Sequence, residues 1–235
     1  MRSVREVPSI ATDELTGRLL RDAVTQLELQ AREGRYATTC IRAVADGARL
    51  LGDEGLASRT LRLLQEAPDG GFSHGALASF ELPQLAPRWM RTCRTHQEIA
   101  TEHPVYDGQR SFELIKACAT SEPHIGLCLE GQHEEARSVA GSDRALEEMG
   151  AALAVLGQFD ATLSIARLPT LPGFRQRGIL QVLIIEEFRA DQCDQAILLL
   201  EELEAGGHLD AWNRLHLALG LAGRVPWAGY PFSDW

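Results

Sequence analysis

The stretch Asp143-Arg-Ala-Leu-Glu-Glu-Met-Gly-Ala-Ala-Leu-Ala-Val-Leu-Gly157-Gln-Phe-Asp-Ala-Thr-Leu-Ser-Ile-Ala-Arg167 decides how this chain reads. Apolar residues return at Leu146, Met149, Leu153 and Leu156, the three-and-four spacing of one helix face. Gly157 interrupts the pattern, and a second helical run over 160–167 begins almost at once. Two helices joined by so short a link fold back on each other as an αα-hairpin.

The same pattern extends in both directions. Helices are expected over 13–32, 35–51, 54–66, 110–119, 122–129, 133–139, 143–156, 160–167, 174–189, 194–204 and 208–221. Leu and Ala supply 34 and 30 of the 235 residues, which favours helix over sheet. The interval 68–108 differs: it holds Pro68, Pro83, Pro87 and Pro104 with Gly70, Gly71, Gly75 and Gly108. It reads as an irregular connection carrying one helix over 87–102, with Pro87 suited to the first turn. The expected organisation is therefore 1–70 as N-terminal helices with a first hairpin, 71–108 as the connection, and 109–235 as C-terminal helical repeats. The aromatic tail 225–235 is expected to fold back on the last helices.

Turns recur around Gly52, Gly131, Gly157, Asp191 and Gly223, at intervals of 79, 26, 34 and 32 residues. Five residues after the first four of these stand Ala57, Ala136, Thr162 and Ala196, all small, as close helix packing requires. Leu146, Met149, Gly150 and Leu153 precede Gly157, and Trp212, Leu215 and Leu219 precede Gly223. Leu180 and Leu183 with Ala196 and Leu200 flank Asp191, and Ile41, Val44, Ala45 and Ala48 precede Gly52. In these residues the chain resembles the tetratricopeptide repeat family over 35–68 and 109–223. It departs from the family where His216 and Ile184 replace a small residue, where Pro123 interrupts a unit, and in its uneven intervals.

The resemblance implies an all-α fold of antiparallel helix pairs stacked as a right-handed superhelix or partial solenoid. It implies a protein-interaction module, an adaptor or scaffold holding a partner's peptide or helix on a concave surface. By register, the first helix of each pair would line that surface with Arg42, Asp46 and Arg49, then Arg144 and Glu147, then Gln181, Ile185 and Phe188, then Asn213.

The formal net charge is −10, against the excess of Lys and Arg that phosphate backbones require. The charge is uneven: residues 1–118 carry 15 basic and 16 acidic side chains, residues 119–235 carry 8 and 17. A basic partner is thus the better expectation for the second half. In the first half, Arg35, Arg42 and Arg49 repeat every seven residues, and Arg88, Arg91 and Arg94 every three beside Trp89. Such stripes suit an acidic peptide or RNA phosphate, or pair with the chain's own carboxylates. RNA binding by a helical repeat is the alternative these stripes leave open; nucleic acid is otherwise not expected.

Chemical motifs are few. Gly71-Phe-Ser73-His-Gly75 matches a nucleophile elbow, which needs a strand feeding a helix; a helical run precedes it, so Ser73 reads as a cap, and a serine hydrolase is the remote alternative. Cys93, His96 and His103 share a helical spacing, and Cys118, His124 and Cys128 add further donors, but neither set has the pattern of a zinc site. Glu147-Glu148, Glu186-Glu187 and Glu201-Glu202 read as a solvated acidic face, because adjacent helical residues diverge by about 100°. No catalytic residue, metal or cofactor is expected. Five scattered cysteines with no CxxC pair read as reduced thiols. With no signal-peptide or bilayer-length apolar run, the protein is expected to be cytoplasmic.

Overall fold

A computed structural model describes residues 10–66 and 108–223. Every regular element among them is helical: α1 Ile10–Arg32, α2 Thr38–Leu50, α3 Glu54–Glu66, α4 Gly108–Ala119, α5 Pro123–Leu129, α6 His133–Val139, α7 Asp143–Val155, α8 Phe159–Ala166, α9 Gly173–Arg189, α10 Cys193–Ala205 and α11 Ala211–Leu221. None is long and apolar enough to cross a membrane. The expected helix at 87–102, the Ser73 motif, the Arg88 stripe, the Cys93 set and the tail 225–235 lie outside the described residues.

The helices fall into two groups by contact. The first comprises α1, α2, α3 and α11. Its core is built from α1 (Leu19, Leu20, Ala23, Val24, Leu27), α2 (Ile41, Val44, Ala45, Ala48) and α3 (Leu56, Ala57, Leu61). α11 packs on α2, with Leu215 and Leu219 buried. Gly47 permits that approach, since a Cβ there would stand 2.4 Å from Leu215 Cδ1. Two ion pairs tie this group's edges: Arg59 grips Glu28 through Nε and Nη2 at 2.5 and 2.6 Å, and Arg214 Nη1 lies 3.6 Å from Asp22.

The second group runs from α4 to α10. Contacts join α4 to α5, α5 to α6, α7 to α8 and α9 to α10, while α7 also packs on α5 and α9, and α8 on α9. Ile115, Cys118, Ile125, Ala151, Ala152, Ala154 and Val182 form one apolar cluster contributed by α4, α5, α7 and α9. Helix α9 is buried on every side from Ile179 to Phe188, as a helix enclosed by several neighbours must be. Pro123, expected to interrupt a unit, instead starts α5, where its missing N–H costs nothing.

Four hairpins turn in the same way. Gly52, Gly131, Gly157 and Asp191 all have positive φ, between 62° and 83°. At each, the residue's N–H reaches the carbonyl three back and the next N–H the carbonyl five back: Gly157 to Ala154 and Gln158 to Leu153, at 2.9 and 2.8 Å, is one instance. This is the Schellman closure of a helix C-terminus. The small residues five positions later, Ala57, Ala136, Thr162 and Ala196, are all fully buried.

Candidate functional site

The second group places an unusual number of polar side chains inside. Glu147 and Glu148 on α7, Gln181, Glu186 and Glu187 on α9, and His124 on α5 are all buried. The expected solvated face is therefore corrected for Glu147, Glu148, Glu186 and Glu187; Glu201 and Glu202 are exposed, with Glu202 accepting from Arg167 Nη2 at 3.0 Å. The reason is that α7 and α9 bury more than one face, so their polar stripes are covered as well.

The adjacent carboxylates of α7 diverge, as helix geometry requires. Glu147 pairs with Arg175 at the start of α9; burial raises its pKa and the guanidinium opposes that rise. Glu148 turns toward α5, where its Oε2 lies 3.2 Å from His124 Nε2. Its other oxygen, Oε1, accepts from Arg144 Nε at 2.9 Å. The other ring nitrogen, His124 Nδ1, lies 3.7 Å from Oε2 of Glu122, the residue before α5. Cys118, in the last turn of α4, is linked to the same point through Glu122 N–H donating to its carbonyl at 2.9 Å. Its buried thiol is pushed up by desolvation and then by the charges of Glu148 and Glu122.

Glu122, His124 and Glu148 thus converge from the start of α5 and the middle of α7. In the sequence, His124 and Cys118 stand as possible donors, but nothing there joins them to Glu148. That link depends on α7 packing against α5, for which no spacing rule exists.

No family model, no curated protein and no solved structure matches this chain.

The nine residues expected to line a concave surface are placed unevenly. Arg49, Glu147, Gln181, Ile185 and Phe188 are buried, so they are closed to a partner in this conformation. Arg49 Nε faces Glu54 at 3.5 Å. Arg144 is exposed, and Arg42, Asp46 and Asn213 are half-buried, with Asn213 N–H donating to the capping Asp210 carboxylate at 2.8 Å. The first arginine stripe is also corrected: Arg35 precedes α2 and pairs with Glu33, because the turn at Gly34 delays the helix to Thr38.

The thiols Cys40, Cys118, Cys128 and Cys193 are free, with Cys118 and Cys128 buried. Burial pushes Cys40 and Cys128 up to about 11, with the Asp210 charge adding to the rise at Cys40, and a thiol raised in this way ionises less readily to the nucleophilic thiolate.

Proposed function

We propose that this chain is a protein-interaction module, built of tetratricopeptide-like helix pairs whose stacking makes a right-handed superhelix or partial solenoid. The observation that carries the reading is the repeated hairpin. Four times the chain closes a helix with the same left-handed turn and, five residues on, buries a small residue completely. Stacked hairpins of this kind present long ridged surfaces and serve recognition.

The accessible part of the expected surface favours one face for the contact in the first group, that of Arg42 and Asp46 on α2, four residues apart and both half-buried. Affinity purification of the tagged full chain, followed by calorimetry with the recovered partner, tests the reading. A stoichiometric partner that binds the Arg42→Glu, Asp46→Lys variant at least tenfold more weakly supports it. Recovery of no stoichiometric partner overturns the interaction role, and an unchanged affinity overturns the assignment to this face.

A further inference from the structure

We infer that Glu122, His124 and Glu148 form a binding site for a divalent transition cation of the zinc class. One ligand atom from each of the three lies within 4.8 Å of the other two. The His124 and Glu148 side chains are each only 5% exposed, while Glu122 is 29% exposed and leaves one side open to solvent.

The decisive observation is the state of His124 Nε2. It is buried and makes no hydrogen bond, although Glu148 Oε2 is 3.2 Å away. A buried ring nitrogen normally finds a partner, and here the carboxylate is near but off the line a hydrogen bond needs. Ligands of one ion behave in this way, because they aim at the ion and not at each other. With metal–ligand distances of about 2.0–2.1 Å in tetrahedral array, neighbouring donor atoms stand roughly 3.3 Å apart. His124 Nε2 and Glu148 Oε2 already stand 3.2 Å apart, and the partly exposed Glu122 side chain, within 4.8 Å, closes on the ion by rotating toward Nε2.

The surroundings fit the same assignment. Arg144 holds Glu148 Oε1, which fixes the carboxylate and leaves Oε2 facing the imidazole, the role outer partners play around metal ligands. One imidazole and two carboxylates select zinc or a neighbouring first-row ion over calcium or magnesium, which take oxygen ligands and more of them. Three protein ligands leave a fourth position for water on the side of Glu122.

The test uses zinc chloride and the intact chain in equilibrium dialysis, with thermal unfolding as a second readout. One equivalent should bind and raise the Tm, since a ligand of the folded state alone stabilises it. Affinity should weaken at least tenfold, and the Tm rise shrink, in His124→Leu and in Glu122→Gln, while both persist in His133→Ala. Glu122 is partly exposed and its side chain makes no cap hydrogen bond, so Glu122→Gln decides the matter if His124→Leu fails to fold. The proposal is overturned if no zinc is retained, or if uptake is the same in Glu122→Gln as in the parent chain.

Discussion

Gly150 on α7 and Ile179 on α9 are in such close contact that a Cβ on the glycine would stand 2.9 Å from two of the isoleucine's carbons. Both are buried at the junction of two helices that each pack on further neighbours, so neither helix can retreat freely. Gly150→Ala is expected to cost about 1–3 kcal/mol by overpacking, read as a lower urea midpoint. The cost should shrink when Ile179→Ala is made in the same chain, which removes all three crowded carbons, a non-additive pair. Gly47→Ala should cost less despite its shorter 2.4 Å approach, because it meets chiefly the far end of the Leu215 side chain. A Gly150→Ala penalty that is the same with and without Ile179→Ala would contradict the contact.

The hairpin turns make a separate prediction. Nothing lies within 4 Å of a Cβ built at Gly157, yet its φ is 74°. Gly157→Ala is therefore expected to cost about 1–2 kcal/mol through backbone conformation alone. Asp191 occupies the equivalent turn without being glycine, at φ 62°. Asp191→Gly should be neutral or stabilising by up to about 1 kcal/mol, unlike nearly every other glycine substitution in a folded chain. Denaturant unfolding of both variants checks the opposite signs.

Arg175 and Glu147 provide a third test. Removing the guanidinium with Arg175→Met leaves a buried carboxylate without its partner, at an expected cost of roughly 2–4 kcal/mol. Adding Glu147→Gln should recover much of that loss, because the remaining group is then neutral. A double variant no more stable than Arg175→Met would show that the pair is not coupled.

Two groups give stability a pH dependence of opposite sign. Burial pushes the Glu187 carboxyl up from 4.5 to about 7, and its Oε2 accepts no hydrogen bond. A carboxyl raised on folding contributes stability that is complete below its unfolded pKa and is lost as pH rises from about 4.5 to about 7. Glu187→Gln should therefore stabilise the chain at pH 8 by about 1–3 kcal/mol and leave it unchanged near pH 4. Packing pushes the His216 ring down from 6.5 to about 4, opposed by Asp210. Its contribution is complete above about pH 6.5 and is lost as pH falls toward 4, so His216→Leu should flatten the acid limb. Urea midpoints measured from pH 4 to 8 separate the two.

What the sequence made legible was local. The helices 54–66 and 133–139 are expected at the limits observed, and the residues at 52, 131, 157 and 191, expected at turns, do lie at turns, with left-handed backbone. Gly150 is the small residue of the motif before Gly157, and Ile179 is what it makes room for. What depended on third neighbours was not legible. Glu148 and Glu187 look like any solvated helical acids until another helix covers them, and Gln181, Ile185 and Phe188 look like a groove until α9 is enclosed. The His124–Glu148 meeting joins residues 24 positions apart through helix packing alone, and composition carries no trace of it.

The packing of α11 on α2 has a consequence for the making of the chain. Residues 211–221 complete a core begun by α1, α2 and α3, while the whole of α4 to α10 lies between them in sequence. Domains ordinarily finish in the order in which they leave the ribosome, at about 5–20 residues per second. Here the later-made group holds all its helices before Leu215 and Leu219 have been synthesised. The first three helices must wait with the α2 face around Gly47 without its α11 cover, so a newly made chain exposes that face to aggregation and chaperone capture until residues 211–221 emerge.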